Sequence, residues 1–108
     1  MKLKAPSEYW FLNPQQIEEL TNGCGPKAIE KLIPDKIWGL SIEEAWLIHD
    51  FMYSGWVQGI TKWDADFTFL SNMIDIIEAN SSPLMRVLRM HIALGYFKTV
   101  REFGLGPE

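Results

Sequence analysis

The sequence predicts an all-α single domain. Three observations carry this. Apolar residues recur at helical spacing through the central and C-terminal stretches, helix-start signatures precede those stretches, and no convincing strand can be read. A chain of 108 residues is also about one domain long, with no internal repeat and no linker long enough to divide it.

Taken in order, Asn13-Pro14-Gln15-Gln16 reads as an N-cap, a proline at the first helical position and a capping-box glutamine. The short helix it starts is expected to run to about Leu20 and stop at Asn22-Gly23. Residues 21–40 hold several glycines and prolines and read mostly as loop, with KAIEKLI able to make a turn of helix. Ser41-Ile42-Glu43-Glu44 is a second capping box and opens the clearest helix, about 42–54. Ser54-Gly55 and Gly59 mark a break, and Thr61-Lys62-Trp63-Asp64 starts a helix running to about Ala79. Asn80-Ser81-Ser82-Pro83 ends that helix and opens a last one, to about Phe103, stopped by Gly104. The connection between the two central helices is so short that they are expected to lie antiparallel and adjacent.

Composition narrows the function. Hydrophobic residues make up 47% and charged residues 22%, so the chain can build a core and is not a disordered tail. Ten basic against fourteen acidic residues give a net charge of -4, which argues against a general nucleic-acid binder. The one cysteine, Cys24, permits no internal disulfide, and with only His49 and His91 beside it no zinc site of repeated Cys/His pairs can form. The start MKLKAPSEYWFLN has two lysines and no apolar core, so no Sec-type signal peptide is read, and the expected location is cytoplasmic or virion-associated. No stretch approaches a transmembrane span.

Two polar residues stand out against this apolar background. Trp63, Leu70, Met73 and Ile77 form a stripe along the second central helix, and Asp66 lies on it. A carboxylate on an apolar face is costly unless paired, so Asp66 either has a buried partner or sits at the rim of that face. On the preceding helix, Ile42, Ala45, Trp46, His49, Met52, Tyr53 and Trp56 share a face with His49 at its centre. A histidine there is most simply a satisfied core residue. A His49–Asp66 pair across the two helices would solve both burial problems, and would fix the tautomer and leave the other ring nitrogen as a base. Asp64 is a rival partner, off the stripe. Asp50 points to the edge of the His49 face. Residues 21–25, TNGCG, form a glycine-bearing loop able to turn carbonyls inward, and carbonyls with a carboxylate are hard ligands of the kind calcium takes.

Together, NGCGP at 22–26, HDFMY at 49–53 and ADFTF at 65–69 resemble the phospholipase A2 superfamily. More closely, the chain is similar to the short, cysteine-poor members of bacteria, phages and some virus capsids, and IPDKIWGLS and FLSNM add to the likeness. The resemblance implies calcium-dependent hydrolysis of the sn-2 ester of a glycerophospholipid at a membrane surface. In it, His49 is the general base and Asp66 holds its ring. Tyr53 holds Asp66. Asp50 and the carbonyls of Thr21, Gly23 and Gly25 bind calcium, and the Gly23 amide helps stabilise the oxyanion. Thr21 stands where the family has an aromatic residue and Pro26 where many members have glycine. Trp46 stands where the family has cysteine, so here it must pack instead. The alternative is a phage or prophage interaction module that keeps the fold without catalysis. A third reading takes the pair as a buried polar tie in a structural protein.

The last helix carries Arg86, Arg89, Lys98 and Arg101 against Glu102. It reads as a core-packing helix with a solvated basic side, or else as a surface for anionic headgroups or a partner. His91 is expected to be structural or exposed.

Overall fold

The computed structural model describes residues 3–23 and 35–103. A 3-10 turn at Ser7–Phe11 leads into α1 (Pro14–Gly23), a two-strand hairpin of β1 (Lys36–Ile37) and β2 (Leu40–Ser41), then α2 (Glu43–Tyr53), α3 (Lys62–Asn80) and α4 (Pro83–Phe103). The all-α expectation holds, and the three long helices fall within a residue or two of their expected bounds.

The caps explain most of these boundaries. The Asn13 amide donates to Gln16 Oε1 at 2.9 Å while the Gln16 amide donates to Asn13 Oδ1 at 2.8 Å. That is a reciprocal capping box, and it satisfies donors the first turn leaves bare. At α3, the Asp64 amide donates to Thr61 Oγ1 at 3.1 Å and Asp64 Oδ2 accepts from the Thr61 amide at 3.0 Å. The Ser41 box differs from expectation. Ile42 takes the cap position of α2, and Ser41 Oγ instead accepts from the Glu43 amide at 3.3 Å. The hairpin draws Ser41 into β2, where it pairs with Lys36, and this pulls the helix start one residue along.

The hairpin differs from the all-helical expectation, because strands this short show no period in the sequence. Its two-residue turn places Trp38 at φ 46° and Gly39 at φ 80°. Glycine adopts that conformation freely, whereas tryptophan does so at a cost of roughly 1–2 kcal/mol. Contacts from α4 hold it there: Arg89 Nη2 donates to the Trp38 carbonyl at 2.8 Å and Tyr96 Oη to the Lys36 carbonyl at 3.1 Å. At the end of α2, Gly55 takes φ 84°, the left-handed conformation that terminates many helices.

The core lies between α2, α3 and α4. Ile42, Ala45, Ile48 and Phe51 meet Ala65, Phe69, Met73 and Ile77, with Ala93 and Val100 closing the α4 side. Each large side chain buried there contributes about 1.5–3 kcal/mol. The chain start joins in through Leu3 and Tyr9. Burial, with Glu44 adding a smaller effect, pushes the Tyr9 phenol up to about 12, so it stays protonated. Asn72, fully buried on α3, clamps the N-terminal segment: its Oδ1 accepts from the Lys4 amide at 2.7 Å and its Nδ2 donates to the Lys4 carbonyl at 2.8 Å.

Candidate functional site

The site grows out of the way α2 and α3 run past each other. Tyr53 and His49 meet Asp66, and Trp46 meets Phe69, so advance along one helix is retreat along the other. The central helices are therefore antiparallel and adjacent, as the short 54–61 connection requires. The same reasoning holds for α3 and α4, where Phe67 meets Phe97 and Asp66 meets Arg101.

His49 and Asp66 are both fully buried, and His49 Nε2 lies 2.7 Å from Asp66 Oδ1. Tyr53, one turn after His49, donates to that same oxygen at 2.7 Å. Arg101 Nη1 donates to the other oxygen, Oδ2, at 3.0 Å. Burial alone would raise the Asp66 carboxyl. The hydrogen bonds from His49, Tyr53 and Arg101, with the charge interaction of His49, outweigh it and hold the group below its ordinary value. Asp66 is therefore an anion enclosed by donors. With Nε2 facing the carboxylate, the ring carries its proton there and Nδ1 is the basic nitrogen. Three rings fix the imidazole plane: Tyr53 with its centroid at 4.3 Å, Phe69 at 5.0 Å and Trp46 at 5.4 Å. Trp46 thus packs at the place where the resemblance has a cysteine.

Asp50 is 3% exposed, more deeply set than the edge position its spacing suggests. Asp64 is exposed and spent on the α3 cap, which leaves Asp66 as the partner. His91 is exposed. Trp63, expected on the buried stripe, is 46% exposed, because it lies in the first turn of α3, where it stacks on Phe67 at 4.3 Å. The glycine-bearing loop begins later than expected, since α1 continues through Thr21 and Gly23, while Gly25 lies outside the described residues. A helical amide is aimed at the carbonyl four residues back, so an oxyanion role for Gly23 calls for that last turn to unwind. The carbonyls of the final turn have no intrahelical donor and project beyond the helix end.

The donor set fits a hard cation in kind: one deeply buried carboxylate on α2, and helix-terminal carbonyls on α1, which packs against α2. Among the described residues, no group of three or more His, Cys, Asp or Glu side chains is placed to hold a metal. A calcium site here must therefore draw most of its ligands from backbone oxygens and water. A surface groove of about 300 Å³ is lined by Glu8, Phe11, Leu12, Gln16, Phe51 and Trp56, none of which touches His49 or Asp66 in the hydrogen bonds and ring contacts described above.

Arg101 is the residue the sequence does not disclose. Its helical spacing places it with the other basic residues of a solvated side, yet its side chain is 22% exposed and turned onto Asp66. The signal that could have found it is charge balance. A buried carboxylate calls for a cation, and the last helix is the richest source. None of its helices is long and apolar enough to cross a membrane, among the described residues. Comparison with models of known families, with curated proteins and with solved structures finds no match.

Proposed function

We propose that this chain is a calcium-dependent hydrolase of the sn-2 ester of glycerophospholipids, acting at a membrane surface. One observation supports the reading above all others: His49 and Tyr53 converge on one carboxylate oxygen of Asp66 across two packed helices. Such an arrangement holds a histidine in one tautomer with a basic nitrogen opposite the carboxylate.

In the proposed reaction, Nδ1 of His49 takes a proton from water as the water oxygen attacks the ester carbonyl. Asp66 orients the ring and stabilises its protonated form, and Tyr53 steadies Asp66. The tetrahedral intermediate collapses with cleavage of the ester C–O bond, and the departing lyso-lipid alkoxide takes the proton back from His49. The products are a fatty acid and a lysophospholipid, and no acyl-enzyme forms. Calcium, when held by Asp50 and the carbonyls of Thr21, Gly23 and Gly25, would supply charge to the carbonyl oxygen as it becomes an oxyanion. The negative end of the α1 dipole favours a cation at that place.

A second reading, the non-enzymatic phage or prophage interaction module, draws on the complete burial of His49, which puts the basic nitrogen out of contact with bulk water. The two readings part in one assay: fatty-acid release from mixed anionic phospholipid vesicles, with calcium and with excess chelator. The hydrolase releases sn-2 fatty acid only with calcium, and Asp50→Asn abolishes both that release and the calcium heat in a calorimetric titration. Folded protein that releases nothing under either condition removes the hydrolase and turns the search to a binding partner.

A further inference from the structure

The last helix also belongs to the site, through Arg101. A carboxylate held through one oxygen is free to swing, because the terminal torsion of aspartate is broad. Asp66 is held through both. Oδ1 takes His49 and Tyr53, and Oδ2 takes Arg101. Arg101 is itself fixed from two directions: its guanidinium lies over the Trp63 ring at 3.8 Å, and its carbonyl accepts from Lys62 Nζ at 2.6 Å. Lys62 and Trp63 in the first turn of α3 and Asp66 in the next all reach the end of α4, gripping it next to the fully buried Val100. A guanidinium stacked on an aromatic ring is pre-organised and loses little freedom by adding a hydrogen bond.

We infer that Arg101 is a positioning residue that locks the Asp66 carboxylate and, through it, holds His49 in the tautomer with its proton on Nε2. Catalytic consequences of that lock rest on the hydrolase reading; the lock itself does not.

The test is nitrogen-15 NMR of the His49 ring in the full chain, with the ring unprotonated, together with steady-state hydrolysis of phospholipid vesicles. The wild type is expected to show the Nε2–H tautomer alone. Arg101→Gln is expected to show a mixture of tautomers and a kcat lowered about tenfold with KM nearly unchanged. Arg101→Lys restores a cation without the planar stack and falls between them. Should Arg101→Gln fail to fold, Trp63→Leu keeps the arginine, removes the ring that seats it and is expected to give a weaker form of the same mixture. A wild-type ring protonated on Nδ1, or a folded Arg101→Gln or Trp63→Leu with the wild-type tautomer, overturns the inference. If wild-type protein hydrolyses nothing, the hydrolase reading fails, and the tautomer still decides the role of Arg101.

Discussion

Helix α3 buries two polar side chains completely, Asp66 and Asn72, and they are used differently. Asn72 is a neutral amide that exchanges two hydrogen bonds with the backbone of Lys4. Its donors and acceptors match a main-chain segment one for one, which ties down a chain terminus and leaves nothing reactive. Asp66 is an anion met by three side chains from two other helices, one a titratable ring and one a cation. Burying an amide against backbone costs little once it is paired, whereas burying a carboxylate demands charge-assisted partners from all around it. A structural clamp and a candidate reactive centre thus share one helix, and the difference between them is charge.

That contrast can be broken from either side. The largest expected effect is on His49→Gln, which keeps a hydrogen-bonding side chain but removes the base. Vesicle hydrolysis should fall by about 10³-fold while the far-UV circular dichroism stays helical. Undiminished turnover in folded protein takes His49 out of the mechanism.

Next comes Asp66→Asn, which leaves the Arg101 charge without its counter-ion and is expected to destabilise by about 3 kcal/mol in urea unfolding near neutral pH. This loss carries a pH signature. The Asp66 carboxyl titrates lower in the folded chain than in the unfolded one, so the unfolded state binds more protons in the interval between the two values. The stability from Asp66 is therefore fully present above the unfolded value, ~4, and is lost as the pH falls through the folded value. The gap between wild type and Asp66→Asn should narrow in that acid range. A gap that stays constant would mean that Asp66 is not held as an anion.

The smallest effect sharpens the comparison. Asn72→Ala removes two hydrogen bonds and should cost about 2 kcal/mol. Its deficit should not vary with pH, and its hydrolytic rate should match the wild type once the protein is folded. A fall in rate would show that the clamp at Lys4 reaches the reactive centre.

The sequence by itself determined a good deal here, for physical reasons that are local. A capping box at Asn13, a helix-start signature at Thr61, prolines at 14 and 83, and apolar spacing within single helices fix where helices begin and which faces turn inward. The His49–Asp66 pair was legible because each residue is a polar exception on an apolar face, and two such exceptions on neighbouring helices satisfy each other most cheaply. What tertiary structure alone decided lies in places where local rules are silent. The turn at Trp38 is held by Arg89 across a long sequence separation, so two-residue strands form without any readable period. Ser41 went to a strand rather than to its helix cap because the hairpin claimed it. Asp50 sits deeper than its spacing on α2 suggests, since neighbouring segments rather than the helix set its cover. Arg101 joined Asp66 instead of solvent because the need it answers, an unbalanced charge at the far end of another helix, is visible only when α3 and α4 are side by side. Helical period orders the residues of one helix; it carries no information about which neighbour lies against them.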